Sequence, residues 1–185
     1  MRLLSLLAIL IGLALPGPAG ADETKRFENP DQKLAFEYPA PWSLATDQAR
    51  GLLPNERFEA RTSGAPRSGF AVAVYQLDAP LDNATFAPML QKLDQQASGW
   101  IAKLPNASIG DRYDVVLDGA DGREYVYRYV LDGQLVSADT LVAVFGDRAV
   151  EVSRWAPEAE YAARAPVFDA VFASLVLPWT ASGAD

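Results

Sequence analysis

The sequence predicts an α+β domain in which an antiparallel, mostly meandering sheet carries helices on both faces. Three observations predict it. Phe86, Met89, Leu90, Leu93, Ala97, Trp100, Ile101 and Leu104 form one apolar stripe at helical spacing. Four strand-like runs follow, separated by Asp118 to Gly122, Asp132-Gly133 and Gly146-Asp147, and such Gly-containing turns join antiparallel neighbours. No βαβ repetition appears, so strands and helices belong to an α+β arrangement rather than a parallel sheet.

The elements follow in chain order. Asn29-Pro30-Asp31-Gln32 suits a type I turn, with Pro in its second place. Leu34, Phe36 and Tyr38 alternate with Ala35 and Glu37 as a half-buried strand, which Pro39 and Pro41 end. Residues 43 to 55 show no period and read as loop. Arg57 to Arg61 and Phe70 to Leu77 read as strands around a linker of loop composition, 62 to 69. The helix over 86 to 104 takes Thr85 as N-cap and Pro88 in its first turn, where a missing N–H costs nothing. Pro105-Asn106 stops it.

Tyr113 to Leu117, Glu124 to Leu131, Gln134 to Phe145 and Arg148 to Trp155 form the meander. Many of its positions are apolar on both sides, as a sheet covered twice requires. A short helix from Pro166 closes the domain, with Val167, Phe168, Val171, Phe172 and Leu175 inward. Glu158 to Arg164 reads as a separate turn or helix before it.

The first residues are an export signal. Met1-Arg2 precedes an apolar run from Leu3 to Leu15, shorter than the ~20 residues that span a bilayer. Pro16, Gly17 and Pro18 break the run, and Ala19-Gly20-Ala21 is the small-x-small pattern of a cleavage site. Cleavage is expected after Ala21. That leaves one domain over 22 to 185, with its core at about 26 to 178, in a periplasmic or secreted location. The mature domain carries no later segment suited to membrane insertion.

Composition excludes whole classes of chemistry. The chain has no cysteine, so it forms no disulfide and offers no thiolate nucleophile. It has no histidine, which removes the commonest general base and the commonest transition-metal ligand. The formal charge of −8 opposes binding to nucleic acid or to anionic lipid surfaces. No catalytic residue, metal or cofactor is expected.

The string Phe36-Glu37-Tyr38-Pro39-Ala40-Pro41-Trp42, the turn Leu117-Asp118-Gly119 before the tyrosine strand, and the helix from Val167 to Leu175 with Ser174 near its end resemble the PsbP-like family. That family includes photosystem accessory proteins, a nuclear Ran-binding protein and periplasmic DcrB-type proteins. The resemblance covers about residues 26 to 178 in element order. It implies an α/β/α sandwich and a non-enzymatic accessory role with a protein partner in the cell envelope. The metal and anion handling associated with photosystem members does not carry over, because no histidine is present.

Three groups of residues could bear function. Asp111, Asp114, Asp118 and Asp121 are the densest acids, but their spacing falls short of a calcium loop and they fit turn chemistry. Two-residue turns at Asp132-Gly133 and Gly146-Asp147 would set Asp139 opposite Arg154 and diagonal to Arg128. Two guanidinium groups about one carboxylate would leave donors for an anionic ligand, or form a structural ion cluster. Tyr125, Tyr127 and Tyr129 share the other face, either as core beneath the long helix or as a platform for a sugar or peptide. Trp42 and Trp100 read as core. The function classes that remain are an envelope accessory protein, a small-molecule or anion binder, and a hydrolase working with carboxylates alone.

Overall fold

In a computed structural model the chain folds as the sequence predicts in class, and the described residues are 23–49, 55–65, 67–77 and 83–179. Residues 1 to 21, read above as an export signal, lie outside them. Among the described residues nine strands and two helices run in the order β1 (Thr24–Asn29), β2 (Leu34–Pro39), β3 (Ser43–Ala49), β4 (Asn55–Arg61), β5 (Gly69–Gln76), α1 (Asn83–Ile101), β6 (Ser108–Leu117), β7 (Ala120–Leu131), β8 (Gln134–Phe145), β9 (Arg148–Pro157) and α2 (Glu158–Ala173). Seven strands form one antiparallel sheet in the order β3-β4-β5-β9-β8-β7-β6, and β1-β2 is a separate hairpin.

The turn chemistry behaves as read. Asp132 and Gly133 both have positive φ, 50° and 76°, which a two-residue type I′ turn demands. Gly146 alone takes the positive φ of its pair, 59°, as in type II′. Asp118 and Gly119 form a third such turn, with Leu117 opposite Ala120. That turn is tighter than the five residues expected, because Ala120 to Arg123 continue the ladder of β7.

Other elements differ from expectation for physical reasons. Residues 43–49 are a strand, β3, although they lack alternation. An edge strand has one neighbour and can form on backbone pairing alone. At the opposite edge, β6 starts at Ser108 and carries an irregular register between Ile109 and Arg112. Helix α1 begins at Asn83, so Pro88 sits inside it and removes one internal hydrogen bond. It ends at Ile101, and Ala102 to Leu104 tighten into turns against Ser98, Trp100 and Ile101. Helix α2 is continuous from Glu158, with Pro166 inside it. Pro157 hands β9 directly to the helix, and Glu158 and Glu160 complement its N-terminal dipole.

The sheet has two unequal covers. One face holds the larger core. Phe70, Val72, Leu141, Val150 and Val152 meet Phe36 of the hairpin and Phe168 and Val171 of α2. The hairpin thus shares with α2 a layer expected to be helical. Ala35, expected outward, is buried because its backbone bridges Val176 beyond α2. The other face has α1 alone, with Ala97 and Ile101 over Tyr125, Tyr127 and Ala138. A helix is roughly 10 Å wide and strands lie about 4.8 Å apart. One helix therefore covers two or three strands, and α1 leaves part of this face open over β4, β5 and β9. Among the described residues no helix is long and apolar enough to cross a membrane.

Candidate functional site

The open part of that face is a cleft of about 780 Å³. Its floor is low because its cross-strand rows use small side chains. One row runs Tyr125, Thr140, Ser153, Ala71, Glu59, and the next runs Tyr127, Ala138, Trp155, Gly69, Arg61. Gly69 is required here. A Cβ at that position would lie 2.3 Å from the Trp155 indole, which rests over the β5 backbone.

The rim is large and of two kinds. On the α1 side stand Trp100, Leu104, Tyr127 and Tyr129. Trp100 meets Tyr127 edge-on at 5.3 Å, and Tyr127 stacks on Tyr129 at 6.0 Å. On the β4 side stand Arg57, Glu59, Arg61 and Arg67. Beside the cleft, under α1, lies a second, more apolar chamber of about 390 Å³, and Tyr75, Trp100 and Glu151 line both.

A hydrogen-bonded chain crosses the floor. Tyr127 Oη lies 3.2 Å from Thr140 Oγ1, which lies 2.9 Å from Ser153 Oγ. Ser153 donates to Glu151 Oε1 at 3.1 Å, Arg57 donates to the same oxygen at 3.3 Å, and Tyr75 donates to Glu151 Oε2 at 2.8 Å. Every hydroxyl in the chain has a partner, as burial requires. Asp94 ties α1 down as the roof, accepting from Tyr125 Oη at 3.0 Å and facing Arg123 at 3.5 Å.

Burial pushes the phenols of Tyr75, Tyr125, Tyr127 and Tyr129 above their ordinary value, with the Glu151 and Asp94 carboxylates adding to it for Tyr75 and Tyr125. Tyr161 on the other face is raised by burial and then by Asp139. A raised phenol pKa contributes stability that is whole below the unfolded value near 10 and is lost as pH rises beyond it. Apart from the exposed Tyr113, alkaline titration should therefore show tyrosinate absorbance appearing in one cooperative step, together with loss of near-ultraviolet circular dichroism. A gradual rise centred near pH 10 with the fold intact would contradict these environments.

The trio predicted from register lies on the opposite face, and the structure assembles two of its three members. Asp139 does face Arg154, and Arg128 does face Ser137. Arg154 Nε donates to Asp139 Oδ1 at 2.5 Å. Arg128 turns away and pairs with Glu158 at the start of α2, 2.9 Å distant. Arg154 instead collects Asp169 at 3.1 Å and Glu124 at 3.4 Å, while Tyr161 donates to Asp139 Oδ2. One guanidinium thus serves three carboxylates. The expected surplus of donors for an anion is inverted into a surplus of acid. Desolvation raises the pKa of Asp139, and also of Glu124, where the Asp139 charge adds to it. A cavity of about 330 Å³ adjoins this cluster.

The acidic group at 111 to 121 is dispersed: Asp118 occupies its turn and Asp114 pairs with Arg123 at 2.6 Å. No cluster of three or more acids able to hold a metal occurs among the described residues. The tyrosines divide between the two readings made of them. Tyr125 and Tyr127 are core under α1, with Tyr127 also edging the cleft, whereas Tyr129 is half-buried on the cleft rim. Trp42 is core, while Trp100, expected to be core, is half-buried in the cleft wall.

No protein-family model and no curated protein matches the sequence. Solved structures do match. The cyanobacterial PsbP protein CyanoP of Synechocystis aligns with a TM-score of 0.62 at 12% identity, over 89% of this chain and 98% of that one. LpqN, involved in cell envelope biogenesis in Mycobacterium tuberculosis, aligns at 0.54 and 15% identity, over 84% and 90%. PA94 of Pseudomonas aeruginosa, a protein of unknown function, aligns at 0.53 and 17% identity, over 85% and 99%. At these identities the likeness is one of architecture, and the chain has the PsbP-like fold.

Proposed function

We propose that this chain is an exported, non-catalytic accessory protein of the cell envelope that works by holding a ligand in the cleft beneath α1. The observation that carries the reading is the cleft itself, a 780 Å³ opening with aromatic and charged rims on the sheet face that one helix leaves bare. The absence of histidine and cysteine from the chain favours binding over turnover. The leader pattern of residues 1 to 21 supports export, and the likeness to LpqN and CyanoP supports an accessory role. The acid-rich surroundings of Arg154 count against an anion site at Arg128, Asp139 and Arg154.

Expression of the full chain in a bacterium tests both halves of the reading. The protein recovered from the periplasm is expected to begin at Asp22 and to carry a non-covalent adduct in native mass spectrometry. Val142 lines the inner chamber, and Val142→Phe should abolish the adduct while leaving the circular dichroism unchanged. An uncleaved cytoplasmic product defeats the export half. An adduct-free wild type, or an adduct that survives Val142→Phe, defeats the cleft.

A further inference from the structure

We infer that the cleft takes a single-chain amphiphile, with its apolar tail under α1 and an anionic head at the β4 rim. This rests on the cleft being the binding site and names what it binds.

The inner chamber selects the tail. Its walls are mainly apolar, with Leu77, Leu93, Ala97, Trp100, Val142 and Ala149, beside the Gln96 amide and the Glu151 carboxylate, which Tyr75, Ser153 and Arg57 already engage. Its hydroxyls are already committed: Tyr125 to Asp94, Tyr75 to Glu151, and Thr140 to Tyr127 and Ser153. A sugar pushed into it would bury hydroxyls against groups with little left to offer, which is costly. A hydrocarbon asks no hydrogen bond of these groups and gains by leaving water.

The rim selects the head. Along β4 and its flank, three guanidiniums meet two carboxylates. Arg57 takes Glu151 at 3.3 Å and Glu59 at 3.7 Å, and Arg61 takes the same Glu59 at 3.0 Å. Arg67 spends its Nε on the Gly64 carbonyl at 3.3 Å, and its terminal nitrogens have no partner among the described residues. Among the described residues N–H donors therefore remain on Arg57 Nη2, on Arg61 and on Arg67, while Glu59 and Glu151 already accept. The remaining acid of the rim, Asp132, sits in the β7–β8 turn. Guanidinium forks of this kind suit a carboxylate or phosphate. The net charge of −8 opposes docking of the whole protein on an anionic bilayer, so the occupant is one free molecule.

The mature protein is titrated with dodecanoate, dodecyl maltoside and dodecyltrimethylammonium, each below its micelle concentration. Trp100 and Trp155 report by fluorescence. Dodecanoate is expected to bind about tenfold tighter than either of the others. Across octanoate, decanoate and dodecanoate, affinity should rise roughly fourfold per methylene. Arg61→Gln with Arg67→Gln alters two rim side chains outside the core and should erase the head preference while keeping the chain-length dependence. Val142→Phe should erase the chain-length dependence.

Equal or tighter binding of the neutral or cationic head overturns the inference. So does an absence of dodecanoate binding, or binding that neither variant changes. Cosedimentation with phosphatidylglycerol vesicles in place of binding to free dodecanoate would move the head into a membrane and overturn it too. A native adduct that depends on Val142 but has no hydrocarbon chain would overturn the amphiphile and leave the cleft reading standing.

Discussion

Arg154→Ala should cost about 3–5 kcal/mol of folding stability at neutral pH, the range seen when one partner of a buried ion pair is removed. Asp139 is only 7% exposed, and among the described residues Arg154 is its one cationic partner. Without the guanidinium, Asp139, Glu124 and Asp169 face one another, with the Tyr161 hydroxyl alone left to Asp139. The loss should depend on pH in a definite direction. Burial already holds Asp139 and Glu124 above their ordinary values of 3.8 and 4.5. Such groups contribute stability that is whole below the unfolded pKa and is lost as pH rises through the folded one. Removal of Arg154 raises both folded values further. The gap between wild type and variant should therefore be widest at pH 7 and narrow toward pH 4.5. Urea melts at the two pH values check it, and an equal gap at both would show that lost packing, not charge, sets the cost. Arg154→Met with Asp139→Leu removes both charges and should recover much of the stability.

That cluster also shows how far the sequence could be read. Two-residue turns fixed by Asp-Gly and Gly-Asp set the register of three long strands, so the Asp139–Arg154 pairing followed from counting. Register places a Cα, but it does not say which helix will cover the face. Tyr161, Glu158 and Asp169 all come from α2, and they decide that Asp139 is buried and that Arg128 is drawn elsewhere. Reading Glu158 to Arg164 as a separate turn or helix, with a new start at Pro166, left Tyr161 and Glu158 unjoined to the helix that covers this face.

The cleft was less legible still. Arg57, Glu59 and Arg61 alternate as any solvated strand face does, and Tyr75 and Glu151 carry no motif. A signal did exist in β5, where Gly69, Ala71 and Ala73 alternate with Phe70, Val72 and Val74. A strand that is bulky on one side and small on the other either packs closely or floors a cavity. Only the width of one helix against seven strands decides which, and that is a property of the assembled sheet.

Phe168→Ala should cost a further 3–5 kcal/mol, typical of emptying a fully buried aromatic site, which for a domain of this size lowers the melting temperature by roughly 10 °C. Phe168 has no exposed surface, meets Trp42 edge-on at 6.3 Å and lies tilted against Tyr161 at 5.8 Å. Its loss opens a void between α2 and the opening strands that rigid neighbours cannot refill. Because Tyr161 touches both Phe168 and Asp139, this variant and Arg154→Ala share a partner and should not add; a double-mutant cycle should return a coupling of about 0.5–3 kcal/mol. The two faces of the sheet should nevertheless remain separable. No residue of α2 lines the cleft or its inner chamber among the described residues, and the sheet backbone lies between them. Phe168→Ala should therefore leave dodecanoate affinity unchanged at temperatures where the variant is folded. A parallel loss of affinity would mean that α2 and the cleft are one cooperative unit, with the sheet transmitting strain rather than insulating one face from the other.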